Sequence, residues 1–190
     1  MYKNILHKVT ALLLMAVCFF LTVSDFAVMG NTATRDSISL DGTWKFATDP
    51  NSVGETEEWF KQGYPLPKMP LEGYAKTADG TIQVPGSWDA QGYGTENEKI
   101  KHCYTGKGWY KKTVSVPKTW KDQKIFLRII GIARYAKIWI NGLQVEPEMI
   151  GCLGQHEREV TKFITPGQDV EITICVDSKQ RYEIDALFGA

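Results

Sequence analysis

The chain has 190 residues, of which 22 are Lys or Arg and 22 are Asp or Glu, so its formal net charge at pH 7 is zero. A chain without an excess of basic residues lacks the positive surface that neutralises phosphates, which argues against a nucleic-acid partner. The length is enough for one domain with a substantial core, and too short for two ordinary domains beside a signal sequence.

Residues 1–30 have the composition of a secretory signal peptide. A short basic start precedes an apolar stretch, residues 9–23, which is shorter than the roughly 20 residues of a membrane-spanning helix. Small residues before Gly30 provide a cleavage site. We therefore predict a mature domain of residues 31–190 and an exported product, periplasmic or extracellular, with no membrane association after cleavage. An uncleaved N-terminal anchor and lipid attachment at Cys18 remain as alternatives.

The predicted mature domain contains three cysteines, an odd number for a disulfide-bonded exported domain. Cys103 and Cys152 lie in loop-like segments and could pair if the fold brings them together. Cys175 lies in a strand pattern and is expected to be a packed residue. The cysteines and histidines match no zinc-binding pattern, so we predict neither a metal site nor a cofactor.

The first predicted elements are a strand and a short helix. The strand follows an Asp-Gly turn, and in it Trp44 and Phe46 alternate with polar residues. Residues 55–62 have the pattern of a short amphipathic helix, with Thr56 as its N-cap and Gly63 after its end.

Two long loops are predicted next, because residues 64–80 and 89–107 show no hydrophobic periodicity. A short strand over residues 81–84 and a proline-led turn that presents Trp88 separate them. Loops of this length in a compact domain usually cover an apolar edge or line a binding site.

Three strands are predicted in the centre of the chain, over residues 110–116, 125–130 and 136–140. The first and third alternate apolar and polar residues. The second is a continuous apolar run apart from Arg128, which is typical of a strand covered on both faces. Asn141-Gly142 predicts a two-residue hairpin turn after the third.

The remaining elements also predict a β protein. Residues 143–145 form the return arm of the hairpin, residues 146–157 are irregular, and residues 158–164 form a strand. Residues 170–177 alternate cleanly and predict a half-buried strand. With at most one short helix, the chain is predicted to be an all-β sandwich with long loops.

The chain contains five motifs in this order: LDGTWKF (Leu40–Phe46), VPGSW (Val84–Trp88), GWYKKTVSVPKTW (Gly108–Trp120), IFLRIIGIARYAKIWING (Ile125–Gly142) and FITPGQDVEITICVD (Phe163–Asp177). Together they resemble the N-terminal sugar-binding domain of glycoside hydrolase family 2, the family of β-galactosidases, β-glucuronidases and β-mannosidases. The resemblance covers residues 37–177. It implies a jelly-roll β-sandwich of the galactose-binding-like type, which agrees with the strand pattern.

The resemblance also implies missing partners. In the family an immunoglobulin-like domain and a (β/α)₈ barrel with two catalytic glutamates follow this domain. We therefore predict no catalytic residue within these 190 residues, and interpret the chain as a fragment of a larger enzyme or a truncated gene product. Asp185 would correspond to an acidic residue that in some members contacts the substrate. A polar residue in a frayed tail is the alternative interpretation.

Aromatic residues in loops are the other candidate sugar contacts, because sugars stack on aromatic rings. These candidates are Trp88, Tyr93 and Tyr104, and the predicted substrate-binding residues are Asp185, Trp88 and Tyr93. Packing is the favoured interpretation of Trp88, since the family counterpart of its turn is mainly structural. Packing of the sandwich is expected for the tryptophans of the strand patterns, Trp44, Trp109 and Trp139.

Two functional hypotheses follow. The first is the sugar-binding and scaffold domain of an exported family-2 glycoside hydrolase. The second is a stand-alone carbohydrate-binding module without catalysis. The ligand in both is a β-linked glycan, and they differ in whether the isolated chain binds it.

Overall fold

A computed structural model describes residues 35–68, 80–95, 103–152, 154–179 and 181. The chain divides into two compact units, Met1–Ile38 and Ser39–Ala190, and the fold below is that of the second unit. Within the described residues no helix has the length and apolar character needed to cross a membrane.

The described part contains eight strands: β1 (Gly42–Asp49), β2 (Thr81–Val84), β3 (Lys107–Ser115), β4 (Phe126–Ile130), β5 (Ala133–Ile140), β6 (Leu143–Cys152), β7 (Gln155–Glu159) and β8 (Asp169–Asp177). Three single-turn 3₁₀ helices accompany them, at Asp89–Gln91, Lys118–Trp120 and Thr161–Phe163.

The strands form two antiparallel sheets. Six of them pair in the order β2-β1-β3-β8-β5-β6, and β4 pairs with β7 in the second sheet. Phe46 and Ile138 of the first sheet and Leu127 of the second belong to one buried cluster between the sheets. This architecture confirms the predicted all-β jelly-roll sandwich.

The strands with clean alternation are confirmed. Trp44 and Phe46 of β1 are both buried in the cluster between the sheets, as their spacing predicts. β8 pairs with β3 on one side and β5 on the other, so it lies in the middle of the larger sheet. The Asn141-Gly142 turn is also confirmed, because it joins β5 to β6 with φ angles of +50° and +80°.

A second hydrophobic cluster covers the opposite face of the six-stranded sheet. Trp109 and Trp139 lie in this cluster, stacked with ring centroids 5.3 Å apart, and Trp59 packs against Trp109. Phe60 stacks on Trp139 at 5.1 Å. The segment after β1 therefore covers the outer face of the sheet with its own aromatic side chains.

The predicted helix over residues 55–62 is wrong. The segment makes successive turns instead; Trp59 N donates to Gly54 O at 2.8 Å, but Glu58 has a φ of +59°. A residue in the left-handed region interrupts a right-handed helix. The packing of Trp59 and Phe60 against the sheet therefore determines the conformation of this segment, and its helical periodicity does not.

The N-cap predicted at Thr56 is consequently wrong as well. The carboxylate of Asp49, at the end of β1, accepts the N–H groups of Val53 and Gly54, both at 2.9 Å. The backbone donors at the start of the turns are therefore satisfied by the carboxylate of a residue that lies four and five positions earlier in the sequence.

The irregular segment predicted over residues 146–157 is also wrong in part. β6 continues to Cys152, and β7 begins at Gln155. The pairing of β5 with β6 shifts register between Ala136 and Ile138. Pro147 is tolerated within β6 because β6 is the last strand of the six-stranded sheet. The proline interrupts the strand pattern in the sequence, so the sequence does not predict this strand.

β4 differs from its predicted environment. Phe126 is 43% exposed and Ile130 is 72% exposed, whereas Leu127 is buried. The apolar run therefore does not indicate burial on both faces in the part of the chain that the structure describes.

Candidate functional site

Trp88 lies at the turn that follows β2, immediately before the 3₁₀ helix at Asp89–Gln91. Its indole is only 7% exposed, and Nε1 donates to the carbonyl oxygen of Tyr104 at 3.1 Å. The ring lies 6.1 Å from that of Phe46 and 5.6 Å from that of Tyr104. These contacts make Trp88 part of the core beneath the loop.

Tyr93 is buried more completely than Trp88, with 1% of its surface exposed. Its hydroxyl donates to the carbonyl oxygen of Thr81 at 2.5 Å, and its ring meets that of Phe46 edge-on at 4.5 Å. The structure thus brings Trp88 and Tyr93 together around Phe46. Tyr93 is enclosed by the core, whereas the small exposed part of Trp88 lines a cavity, and the sugar contacts of both residues stay a prediction.

Tyr104 fastens the second long loop to the larger sheet. Its hydroxyl donates to Lys107 O at 2.8 Å and accepts from Asp49 N at 3.2 Å, while its own backbone N–H donates to Asp89 Oδ1 at 2.9 Å. All of these polar groups serve the fold. Tyr104 is 6% exposed, so it too lies in the core.

A cavity of about 740 Å³ opens beside this cluster, between the two sheets. Its aromatic lining comes from Trp44, Trp88, Tyr104 and Tyr110. Burial, with a smaller contribution from the neighbouring Tyr93, raises the pKa of Tyr110, so its phenol is neutral at physiological pH. The remaining lining is mostly aliphatic and includes the charged residues Asp41, Asp89 and Arg128.

Asp185, the third predicted substrate-binding residue, lies outside the described residues. Its role therefore stays a prediction. Arg181, the last described residue before it, is held by Glu148 at 3.0 Å and Asp177 at 3.2 Å, and its guanidinium lies 3.9 Å from the centroid of the Tyr135 ring. These contacts fix the chain four residues before Asp185.

A charged group that the sequence does not reveal lies on the outer face of the larger sheet. The carboxylate of Glu55 bonds to Lys107 Nζ at 2.7 Å and to Lys137 Nζ at 2.6 Å. Burial raises the pKa of Glu55, but the hydrogen bonds from the two lysines outweigh burial, so the pKa lies below its ordinary value. The partners are 52 and 82 residues away, so spacing carries no signal of this group.

Lys111 is a second buried charge on the same face. It is 3% exposed, and its ammonium donates to the carbonyl oxygens of Lys61 at 2.9 Å and Tyr64 at 2.7 Å and lies 3.1 Å from Glu171. Burial lowers the pKa of Lys111, although the Glu171 carboxylate opposes this. The contacts fasten the segment after β1 to the sheet.

The described residues contain no group of three or more side chains arranged to hold a metal ion. Cys103 is a free thiol in the described part of the chain, which does not support the pairing considered for it. Cys175 is buried, as predicted for a packed residue, and burial raises the pKa of its thiol. This thiol is therefore protonated and unreactive at neutral pH.

The fold and the order of the motifs agree with a comparison against known families. Residues 38–186 match the family described as "Glycosyl hydrolases family 2, sugar binding domain". The chain belongs to this family, and it corresponds to the N-terminal sugar-binding domain of these enzymes.

Curated relatives of the chain include β-glucuronidases. The enzyme of Paenibacillus borealis is 28% identical over 148 residues, which cover 78% of this chain and 22% of the relative. The enzyme of Rattus norvegicus is 27% identical over 155 residues, with 77% and 22% covered. The chain thus spans about a fifth of the length of these relatives.

Solved structures show the same fold. A β-glucuronidase from Ruminococcus gnavus in complex with D-glucaro-d-lactam superposes with a TM-score of 0.61 at 24% identity, covering 76% of this chain and 22% of that one. Its complex with uronic deoxynojirimycin gives the same TM-score. Since the identity is low, these superpositions support the fold alone.

Proposed function

We propose that this chain is the N-terminal domain of an exported β-glucuronidase-type glycoside hydrolase, in which it serves chiefly as a scaffold. The family match over residues 38–186 carries the proposal. The glucuronide substrate class comes from the names of the curated relatives. The proposed partners are the immunoglobulin-like and barrel domains that follow this domain in the family.

The burial of the candidate rings favours a scaffold over a stand-alone binding module. Trp88 and Tyr93 are 7% and 1% exposed. The indole N–H of Trp88 and the hydroxyl of Tyr93 both donate to backbone carbonyl oxygens inside the domain. A sugar stacks on an exposed ring face. Asp185 is left as the residue through which this domain would touch substrate held by the barrel.

Isothermal titration of the purified chain with methyl β-D-glucuronide tests the proposal. A scaffold gives no saturable heat up to millimolar sugar, and the chain does not hydrolyse p-nitrophenyl β-D-glucuronide. Saturable binding by a chain whose near-UV circular dichroism shows native packing would favour the module instead. If such binding is found, Tyr93→Phe is the appropriate variant to test the part of Tyr93 in it, because this substitution keeps the buried ring and removes only the hydroxyl.

The parent enzyme is tested separately by sequencing the gene beyond codon 190. We expect an in-frame barrel with two catalytic glutamates; its absence would contradict the parent-enzyme part of the proposal. The proposed export rests on the composition of residues 1–30. Mass spectrometry of the exported protein should find an N-terminus near residue 31, and a start at Met1 would refute cleavage.

A further inference from the structure

The six-stranded sheet ends on one side at β2, which pairs with β1 and with no other strand among the described residues. Directly before β2, Phe46 N of β1 donates to Gly80 O at 2.8 Å, so the backbone groups of the even-numbered residues point towards β1. Thr81 and Gln83 consequently present their backbone groups to the opposite, free edge. Such an edge is a template on which a strand of another chain can pair.

The common protection of an edge strand is absent from β2. Prolines and charged side chains discourage pairing at the edge of a sheet. At the other end of the same sheet, β6 contains Pro147 between Glu146 and Glu148. β2 has the sequence Thr-Ile-Gln-Val, which includes neither a proline nor a charged residue. Its own side chains therefore do not repel a second strand.

The side chain of Gln91 occupies the place of a neighbouring strand at this edge. Gln83 N donates to Gln91 Oε1 at 2.7 Å, and Gln91 Nε2 donates to Gln83 O at 2.9 Å. A primary carboxamide carries both a donor and an acceptor, like a peptide group. The pair therefore reproduces the two bonds that a residue of an antiparallel partner strand would make with Gln83.

Tyr93 covers the next outward group along the edge. Its hydroxyl donates to Thr81 O at 2.5 Å, and its ring is anchored in the core against Phe46. The backbone N–H groups of Gln91 and Tyr93 both donate to Trp88 O, at 3.1 Å and 3.0 Å. The turn after β2 thus holds both side chains against the strand that precedes it.

Gly86 leaves the space that the carboxamide needs. A Cβ at this position would lie 2.6 Å from Gln91 Nε2 and 2.9 Å from Gln83 O. Both distances are too short for an ordinary carbon contact. A side chain at position 86 would therefore displace the carboxamide of Gln91 from the edge.

We propose that Gln91 and Tyr93 together close the free edge of β2 against strand pairing. Removal of the Gln91 carboxamide then turns the edge into a pairing surface for β2 of a second copy, with Gln83 opposite Gln83 across a two-fold axis. The two residues would exchange the N–H···O bonds that Gln91 now satisfies. Since the edge is short, this association is weak and requires a high protein concentration. The proposal concerns assembly of the domain and does not depend on the proposed function.

Hydrogen exchange measured by NMR on the 190-residue chain tests the role of Gln91. In the unaltered chain we expect slow exchange at Gln83 N–H, although this group faces away from β1. In dilute Gln91→Ala the exchange at Gln83 should accelerate at least about tenfold, while Ile82 N–H, which faces β1, stays slow. Fast exchange at Gln83 in the unaltered chain, or no acceleration in the variant, would overturn the proposal.

Light scattering of the same two chains tests the pairing surface. The mean mass of Gln91→Ala should rise towards that of a dimer as its concentration increases into the millimolar range, and Gln83 should regain slow exchange over the same range. The unaltered chain should show neither change. A folded Gln91→Ala chain that stays monomeric throughout would refute the pairing surface.

Two variants at position 83 locate the contact. Gln83→Pro, added to Gln91→Ala, removes the outward N–H donor at a free edge, where proline is tolerated, so the double variant should stay monomeric. Gln83→Ala alone is the matched control, because it removes a side chain that bonds to Thr43 Oγ1 at 2.7 Å and keeps the backbone pair with Gln91. It should also stay monomeric. Association of either variant to the same extent as Gln91→Ala would place the contact elsewhere and contradict the proposal.

Gly86→Ala opens the edge by a second route, since it displaces the carboxamide and keeps the glutamine. If Gln91→Ala accelerates exchange at Ile82 as much as at Gln83, β2 has left the sheet, and Gly86→Ala takes its place in both measurements. The same rise in mass and the same acceleration at Gln83 are expected. Without them, the edge does not depend on the Gln91 carboxamide and the proposal fails.

Discussion

Gly108 of β3 lies where the aromatic core leaves no room for a side chain. A Cβ at this position would lie 2.7 Å from Cζ3 of Trp88 and 2.9 Å from Cε2 of Phe46. Because both rings are buried, neither can move aside without disturbing its neighbours. We predict that Gly108→Ala lowers the free energy of unfolding by about 1–3 kcal/mol, the usual cost of overpacking. Urea denaturation followed by tryptophan fluorescence measures it.

Gly154 provides the control for this substitution. A Cβ there would lie 3.6 Å from Nε2 of His156, which is an ordinary contact. Gly154→Ala should therefore change stability by less than about 1 kcal/mol, with a small gain if the unfolded chain loses freedom. A destabilisation equal to that of Gly108→Ala would show that loss of glycine, rather than crowding by the rings, is the cause.

Asp49 shows what residue-level prediction misses. Its place beside Pro50 predicts a turn, and the turn is present. In addition its buried carboxylate accepts from Val53 N, Gly54 N and, at 3.1 Å, the indole Nε1 of Trp109. The indole belongs to a residue 60 positions later, and no local pattern reports a partner at that distance.

At the scale of elements, Glu55 attaches the segment after β1 to the sheet through Lys107 and Lys137. The pKa of Glu55 is lowered in the folded chain, so its contribution to stability is present above the ordinary value of 4.5 and is lost as the pH falls through the folded pKa. We predict that Glu55→Gln costs about 0.5–1 kcal/mol at pH 7. The difference from the unaltered chain should be smaller in urea titrations at an acidic pH below the ordinary value of 4.5.

Glu58 is the matched control, because its ion pair with Lys61 joins two side chains that are about half exposed. Exposed pairs contribute little to stability. Glu58→Gln should therefore leave the unfolding free energy nearly unchanged at both pH values. An equal pH-dependent loss in Glu58→Gln would mean that general surface charge, and not the Glu55 bridge, governs the acid response.

The elements that sequence predicts well are those whose pattern is local. The alternating residues 110–116, 136–140 and 170–177 lie in β3, β5 and β8, except for Val116 just beyond β3. The Asn141-Gly142 turn requires the positive φ angles that these two residues tolerate. The helix over residues 55–62 failed because its aromatic residues pack against a sheet formed by distant strands. The exposure of β4 was missed because an apolar run does not tell which neighbours a strand has.

At the scale of the molecule, the larger sheet separates two hydrophobic clusters. The family and the sandwich could be predicted, since both depend on motif order and strand periodicity. The division into an inner and an outer cluster could not, because it depends on which strands pair. For the candidate site, the sequence favours packing of Trp88, but it does not reveal that Tyr93 is buried beside it, because this depends on how Phe46 and Tyr104 pack around the two rings.

The two clusters should respond independently to mutation, because the backbone of the sheet lies between them. Tyr93→Phe removes a buried hydrogen bond from the inner cluster and should cost about 1 kcal/mol. Phe60→Ala removes the ring stacked on Trp139 in the outer cluster and should cost about 1–3 kcal/mol. We predict that the double variant loses the sum of these values to within about 0.5 kcal/mol, as measured by urea denaturation.

Phe60→Ala combined with Trp139→Leu provides the comparison, since these two rings touch each other at a centroid distance of 5.1 Å. Once either ring is replaced, the stacking contact is already lost, so the second substitution costs less than it does alone. The two costs should therefore deviate from additivity by more than about 0.5 kcal/mol. Coupling of that size between Tyr93→Phe and Phe60→Ala would mean that the sheet transmits packing changes from one face to the other, and the two clusters would then have to be treated as one core.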